Sequence, residues 1–377
     1  MMDMDRWSRS VATSLLNTPS LSAWLEPLVQ LRRPRWSALK SRAQVSSLKR
    51  YGFGRSGTTD LVRFSLQPDS RWKGFLPGQH VMLTIEHKGI LLSRPFSICS
   101  SPLHFKETGQ IEFAVRRQDK GKMTTWLCDE LQVGDWLQLS PAQGEFILQD
   151  PERPILLIGA GSGMAPLMSM VSEWASSSRF RAQLMMYTRA NEQVFASELA
   201  QCQLRGADSG MTSSFVYKAW ETGQGGHFSL AQLVSFCPDF MERDIYVCGP
   251  AAMVRSVSAL LAEQGVAPQQ IHHELFFADS LAGASGGSAE VHITTVERSH
   301  VVQLTERHSQ SLLEVVEGAG YRPRYGCRQG ICHECTCTKQ SGRVRNRLTG
   351  LWSDTGEEEI QLCVSVPEGV VRVVVQE

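Results

Sequence analysis

From about Ser46 to Asp150 the hydrophobic residues fall in short alternating runs broken by Gly and Pro, as in Val81–Ile85, Ile111–Val115 and Trp136–Leu139. Successive side chains of a strand point to opposite faces, so evenly spaced runs of this kind predict an antiparallel barrel or sandwich. The texture changes at Arg153. Pro154–Ile158 is a continuous apolar run ending in Gly-rich sequence, and helical and strand patterns alternate from there to about Phe277. A strand buried on both faces reads as such an unbroken run, and its alternation with helices predicts a parallel α/β sheet. Ahead of these regions, Thr18–Pro19–Ser20 reads as a helix start, with Leu21, Trp24, Leu25 and Leu28 at helical spacing. Behind them, Ala278–Ser288 is made of small residues without an apolar period, the character of an interdomain linker. The remaining residues predict strands around Val291–Val296 and Val370–Val375 and a helix near Ser311–Gly318. The expected division is a helical extension (1–44), a barrel (45–150), an α/β domain (151–278), a linker (279–288) and a small α+β domain (289–377).

Composition narrows the function. The chain has 377 residues, enough for two or three domains. Its 38 Lys+Arg balance 38 Asp+Glu, which excludes a general nucleic-acid binder with a basic face. No apolar run approaches the roughly 20 residues of a membrane span, and Asp3, Asp5 and Arg6 precede no signal-type apolar region, so a cytoplasmic location is expected. Residues 1–44 are basic and carry Trp7, Trp24 and Trp36. They read either as a helix packed on the next domain or as a surface for peripheral contact with the inner face of a membrane or a membrane-bound partner. Five of the 10 cysteines, Cys99, Cys128, Cys202, Cys237 and Cys248, are scattered like buried hydrophobes. The other five, Cys327, Cys332, Cys335, Cys337 and Cys363, crowd one stretch near the C-terminus, which in a cytosolic chain points to metal or redox chemistry.

Two glycine turns belong to the α/β region. Gly159–Ala160–Gly161–Ser162–Gly163–Met164–Ala165–Pro166 follows the apolar strand and opens a helix, where backbone N–H groups and the helix dipole suit a pyrophosphate. The spacing is not the G-x-G-x-x-G fingerprint, and no G-x-x-x-x-G-K-[ST] loop is present. A second strand, Asp244–Cys248, reaches a sharp Gly249–Pro250 turn with Met253 in the helix beyond. Ligands of open α/β sheets sit at such strand ends, so the two turns frame a dinucleotide crevice. Between them, Leu184–Tyr187 ends in Thr188–Arg189, and an Arg there suits a 2′-phosphate where an acid would suit a plain ribose. In the barrel region, Arg94–Pro95–Phe96–Ser97 follows Ile90–Leu92, and Gly121–Lys122–Met123–Thr124–Thr125 makes a hydroxyl-rich turn. Arg, aromatic and Ser in a row offer a phosphate anchor, a cover for a flat ring and a hydrogen bond to a ring nitrogen.

These four stretches, in this order, resemble the ferredoxin–NADP reductase superfamily. RPFS at 94–97 is similar to its R-x-[YF]-S flavin motif and GKMT at 121–124 to its pyrophosphate turn; GAGSGMAP at 159–166 and CGPAAM at 248–253 are similar to its nicotinamide motifs. The resemblance implies an antiparallel FAD-binding barrel followed by an NAD(P)-binding domain. It implies that Arg94 and Gly121–Thr124 hold the FAD diphosphate, that Phe96 stacks on the isoalloxazine with Ser97 near its N5, and that Cys248 lies beside the nicotinamide. Ser97 and Cys248 are thus the expected catalytic residues. The family more often has Tyr at position 96; stacking survives the change and a hydroxyl bond does not.

Cys327-x₄-Cys332-x₂-Cys335, with Cys363 well downstream, is the plant-type [2Fe–2S] spacing, and the expected fold is a β-grasp ferredoxin. A structural zinc site would use two C-x₂-C pairs, and one is present. Cys337 reads as a buried bystander and His333 as a surface residue of the loop. Arg322, Arg324, Arg328, Arg343, Arg345 and Arg347 form either a solvated face or a docking surface for an acidic partner. A nicotinamide donates two electrons as hydride and a cluster accepts one, so a flavin between them completes a conversion chain. NADPH is the expected donor, ahead of NADH. The C-terminal stretch and the N-terminal extension resemble bacterial reductases serving membrane acyl-CoA desaturases, which makes a desaturase the expected acceptor. The alternative is the reductase component of an aromatic-ring or alkane oxygenase. A redox-sensing or structural iron–sulfur protein with a vestigial flavin fold is a third class.

Overall fold

The computed structural model describes residues 41–52, 59–118, 121–150, 153–174, 181–189, 192, 194–208, 214–223, 226–275, 287–304, 308–328, 330, 334–348 and 350–376. The expected helix after Thr18, most of the linker, Cys332 and His333 lie outside the described residues.

The first domain is a six-stranded sheet, all of its pairs antiparallel. Its strands are β1 (Ser41–Tyr51), β2 (Leu61–Pro68), β3 (His80–His87), β4 (Ile90–Ser97), β5 (Ile111–Arg116) and β6 (Trp136–Leu139). The order β4-β3-β6-β1-β2-β5 leaves β4 and β5 as its edges. The alternating runs read from the sequence correspond to β3, β5 and β6. In β5 the residues alternate buried and half-buried from Ile111 to Arg116, and Ile111, Phe113 and Val115 enter a core with Phe64, Leu83 and Leu127. Two helices belong to this domain, α1 (Pro102–Thr108) and α2 (Lys122–Asp129). The strand β1 starts at Ser41, so Ser41–Gln44 are barrel residues and the expected boundary after residue 44 falls inside a strand. The cause is tertiary: Ser41–Gln44 pair with Trp136–Leu139, a partner more than 90 residues away that local patterning does not register.

The second domain has five parallel strands, β7 (Ile155–Ala160), β8 (Arg181–Thr188), β9 (Ser214–Glu221), β10 (Asp244–Gly249) and β11 (Ile271–Leu275), in the order β11-β10-β7-β8-β9. Helices α3 (Met164–Trp174), α4 (Ala196–Asp208), α5 (Leu230–Phe236) and α6 (Ala251–Glu263) connect them. Every residue of β7 and β10 is buried, which accounts for their unbroken apolar sequences. The chain moves outward from β7 to β9 and then returns to the other side of β7. The carboxyl ends of β7 and β10 therefore form the topological switch point, where ligands of such sheets bind. The Ser169 hydroxyl on α3 donates to the Ser100 carbonyl at 2.7 Å, a buried bond between this domain and the barrel.

The third domain is a mixed five-stranded sheet, β13-β12-β16-β14-β15, built from β12 (Ala289–Thr294), β13 (Ser299–Leu304), β14 (Thr336–Asn346), β15 (Glu358–Gln361) and β16 (Ser365–Val374). The terminal strand pairs parallel to β12 and antiparallel to β14. Helix α7 (Leu312–Gly318) begins at a Ser311/Glu314 capping box, and Leu312, Leu313, Val315 and Val316 are buried against the sheet. No helix among the described residues is long and apolar enough to cross a membrane.

Candidate functional site

The edges of the barrel face a cavity of about 580 Å³. Leu91–Ser97 of β4 and Ala114–Arg116 of β5 form two of its walls, and Gly121–Thr124 a third. Gly121 is the N-cap of α2 and no side chain caps that end, so the first-turn N–H groups are available where the helix dipole favours an anion. The Thr124 hydroxyl donates to the Gly121 carbonyl and accepts the Gln118 N–H, both at 3.1 Å, which ties the turn shut. The Arg94 guanidinium donates to the Ser93 carbonyl at 2.7 Å. Burial, with the charge of Arg328 adding to it, pulls the Arg94 pKa below the usual guanidinium value. A half-buried cation facing a second cation across a cavity is stabilised by an anion between them. The donors and the apolar wall thus fit a flavin with its diphosphate. Arg94, Pro95, Phe96, Ser97, Gly121, Lys122, Met123 and Thr124 all line this cavity, whereas Thr125 does not.

A second cavity, of about 520 Å³, opens at the switch point. Gly161, Ser162, Thr188, Arg189, Gly249 and Pro250 line it, and it shares Ala114, Arg116, Gln118, Ser162 and Ala165 with the first. Gly159 and Gly163 lie beneath the lining. A Cβ on Gly163 would sit 2.2 Å from the Cys248 carbonyl oxygen, so this glycine is what lets the β7 and β10 turns touch backbone to backbone. Cys248 is fully buried and faces neither cavity, and Met253 packs into the core beside Val254 and Val257. Burial, and after it the Glu274 charge, pushes the Cys248 thiol well above its ordinary pKa, so it stays protonated.

Glu274, which the sequence reading missed, stands at the junction of the two domains. It lies on β11 opposite Cys248, with Oε2 accepting from the Ser97 hydroxyl at 3.5 Å and Oε1 3.3 Å from Nδ1 of His80. Both His80 and Glu274 are nearly buried. His80 in turn is the cross-strand partner of Ser97. The signal for Glu274 in the sequence is slight: an acid in a run of mixed polarity, whose register against Cys248 exists only in the folded sheet.

The third domain brings its loop to the flavin cavity. Tyr325, Gly326 and Arg328 complete the lining opposite the barrel. Arg328 adopts a left-handed φ of 59°, lies 4.0 Å over the Tyr325 ring and pairs with Glu317. Just behind them, Cys327, Cys335 and Cys363 are buried. Among the described residues no three metal-ligating side chains close into a site, and the fourth expected ligand, Cys332, lies outside them. The donor set nevertheless fits a cluster. The Gly330 N–H donates to Cys363 Sγ at 3.2 Å, and a Cβ on Gly330 would collide with Leu348 and Val364, so the loop can wrap a sulfur only with glycine there. A hydrogen bond from Cys363 lowers the Cys335 thiol to about 7, while the same bond raises Cys363, so one of the pair is readily a thiolate. Cys337 differs. It pairs with Ile360 in the sheet, and burial pushes its thiol up to about 12, consistent with a core residue.

Three family models match in sequence order: an oxidoreductase FAD-binding domain over residues 55–147, an oxidoreductase NAD-binding domain over 157–259 and a 2Fe-2S iron–sulfur cluster binding domain over 295–368. The chain belongs to the ferredoxin–NADP reductase superfamily, in the branch with a C-terminal [2Fe–2S] ferredoxin domain. It is an NAD(P)H-dependent oxidoreductase of the ferredoxin-reductase type, with FAD, NAD(P) and a [2Fe–2S] cluster as its cofactors. A protein named NADPH oxidoreductase from Mycobacterium tuberculosis H37Rv is 27% identical, covering 94% of this chain and 88% of that one. The ferredoxin reductase component of 3-ketosteroid-9-alpha-monooxygenase from Mycobacterium tuberculosis CDC 1551 is 26% identical, covering 78% and 83% respectively. The solved structure of phthalate dioxygenase reductase shares the fold with a TM-score of 0.58 and 21% identity, over 90% of this chain and 98% of that one.

Proposed function

We propose that this chain is the reductase component of an oxygenase system, carrying electrons from a nicotinamide through FAD and the cluster to a separate oxygenase. One observation carries the reading: the cavity at RPFS shares five lining residues with the cavity at the switch point on one side and is walled by Tyr325, Gly326 and Arg328 on the other. FAD held in this cavity would supply the conversion between two-electron hydride chemistry at the nicotinamide and one-electron transfer at the cluster. The protein's own residues bind, orient and exclude water. Arg94 and the α2 N-terminus would hold the diphosphate and Phe96 would cover the ring, while Ser97 gives its one hydroxyl proton to Glu274 and would present its oxygen to the ring as an acceptor. Gly161, Ser162, Gly249 and Pro250 cradle the nicotinamide nucleotide, and Thr188 and Arg189 meet its adenosine end, where Arg189 favours NADPH. Cys248 acts from behind the lining, as neutral packing under the nicotinamide position. Cys327, Cys332, Cys335 and Cys363 hold the cluster.

The acyl-CoA desaturase acceptor expected from the sequence gains no support from the relatives, whose names include oxygenase reductase components. Contact with a membrane through residues 1–44 belongs to that desaturase reading and likewise has no observation behind it. The test is NADPH-driven turnover of a reconstituted oxygenase, with an acyl-CoA desaturase in membranes as comparator. Turnover of the oxygenase alone supports the proposal, and turnover of the desaturase alone reverses it. Absence of any NADPH oxidation with ferricyanide would leave only the sensor class.

A further inference from the structure

We propose that Leu351 and Trp352, flanked by Arg343 and Arg345, form the patch on which the ferredoxin domain docks its electron acceptor, a protein with an acidic docking face. The proposal rests on the reductase reading above and names the surface and chemistry of the partner. Leu351 and Trp352 are 69% and 41% exposed, at the tip of the turn after β14. Backbone bonds close that turn: Asn346 N–H donates to the Leu351 carbonyl at 2.9 Å, Gly350 N–H to the Asn346 carbonyl at 2.8 Å, and Arg345 bridges Trp352 across the turn. The Arg343 and Arg345 guanidiniums lie 5.0 and 5.7 Å from the Trp352 ring centre, and among the described residues neither has a carboxylate partner. The Arg345 Nε donates to the Gly350 carbonyl at 3.2 Å, and an aromatic with two guanidiniums that lack a carboxylate is the kind of group that dominates protein interfaces.

The position suits electron transfer. Leu348, in the same turn, is the side chain that a Cβ on Gly330 would meet at 2.7 Å, and the Gly330 N–H donates to Cys363 Sγ. The Arg347 N–H donates to the Val364 carbonyl, next to Cys363, at 2.7 Å. The turn that carries the patch therefore lies beside Gly330 and hydrogen-bonds to the residue after Cys363. Charge selects the occupant. The N-terminal segment of this same chain carries Arg6, Arg9, Arg32, Arg33, Arg35 and Lys40 against Asp3, Asp5 and Glu26, so it does not complement two arginines. An acidic protein does, and the exposed Asp354, Glu357 and Glu359 just beyond give the patch an acidic border that orients it.

The experiment uses the holoenzyme and two haem proteins of opposite charge as acceptors, the acidic soluble domain of cytochrome b5 and basic cytochrome c, with NADPH as donor. Exchanging both arginines (Arg343→Glu with Arg345→Glu) should slow cytochrome b5 reduction by about tenfold, flatten its salt dependence and accelerate cytochrome c. Trp352→Ala should slow cytochrome b5 reduction while keeping its salt dependence. Cluster absorbance and ferricyanide turnover should be unchanged in both variants, which separates docking from folding. The proposal is overturned if the charge exchange leaves both haem proteins unaffected or shifts them alike, or if the wild-type reduces ferricyanide but not cytochrome b5. A wild-type protein that fails with ferricyanide strikes the reductase reading instead.

Discussion

Replacing Gly163 with Ala tests whether the two nucleotide turns work as one surface. The added Cβ would lie 2.2 Å from the Cys248 carbonyl oxygen, 2.3 Å from its carbon and 2.5 Å from the Gly249 nitrogen. Nonbonded carbon contacts settle at about 3.5–4.0 Å, so the turns must part by about 1 Å or more. All three atoms are backbone, in a ladder where Cys248 pairs with Gly159, so no rotamer change relieves the clash. Forced overpacking of this kind costs about 1–3 kcal/mol of stability. Displacing a positioned reactant by about 1 Å costs up to about 10²-fold in rate. The assay is stopped-flow bleaching of the flavin by NADPH, beside thermal unfolding and cluster reduction by dithionite. The hydride step should fall by about 10²-fold with dithionite reduction intact. Gly109→Ala is the control, since Gly109 has φ +70 with nothing within 4 Å of its Cβ and should cost only the about 1–2 kcal/mol of left-handed strain. A Gly163→Ala protein with wild-type hydride transfer would refute the shared-surface argument, and so would a Gly109→Ala protein equally slow.

Three further outcomes are expected. Cys363→Ser should abolish cluster-dependent reduction of cytochrome c while sparing flavin-dependent ferricyanide reduction, read together with loss of the visible cluster spectrum. Arg189→Ala should raise KM for NADPH by about ten- to a hundredfold and leave NADH nearly unchanged, because a charge-assisted bond to phosphate is worth about 1.5–3 kcal/mol; equal losses for both nucleotides would remove Arg189 from that role. Burial pushes the Glu314 carboxyl up, but the Ser311 N–H, Arg347 and the Ser311 hydroxyl outweigh it and hold the pKa below its ordinary 4.5. A depressed carboxyl stabilises the fold above its unfolded pKa, and that contribution is lost as pH falls through the lowered value. Melting curves of Glu314→Gln should therefore converge on wild-type in acid and fall below it near neutrality.

Much of this protein is legible in one dimension because its chemistry sits in short local motifs. RPFS, the Gly121 turn, the glycine turn at 159–163 and the Gly249–Pro250 turn each combine a strand end with the residues that line a cavity, and sequence spacing reports them directly. Cluster spacing likewise picks out Cys327, Cys335 and Cys363, three buried thiols, as expected ligands, while Cys332 lies outside the described residues. Alternating and unbroken apolar runs distinguish the antiparallel from the parallel sheet, because they record how many faces of a strand are buried.

What tertiary structure alone decided is everything that depends on register and on distant pairing. The Ser97–Glu274–His80 contact exists because β11 pairs with β10 at Cys248 and β3 pairs with β4 at Ser97, and no local pattern encodes either alignment. Ser41–Gln44 join the barrel because β6 waits for them across the sheet. Cys248 lies off the lining because its side chain enters the core that holds Ile155, Met186 and Tyr246. The meeting of the cluster loop with the flavin cavity is likewise a property of packing, since Tyr325 and Arg328 lie over 200 residues from the barrel motif they face. Hydrophobic periodicity writes each domain into the chain, but the junctions between domains, where electrons cross, are set by surfaces that come together only on folding.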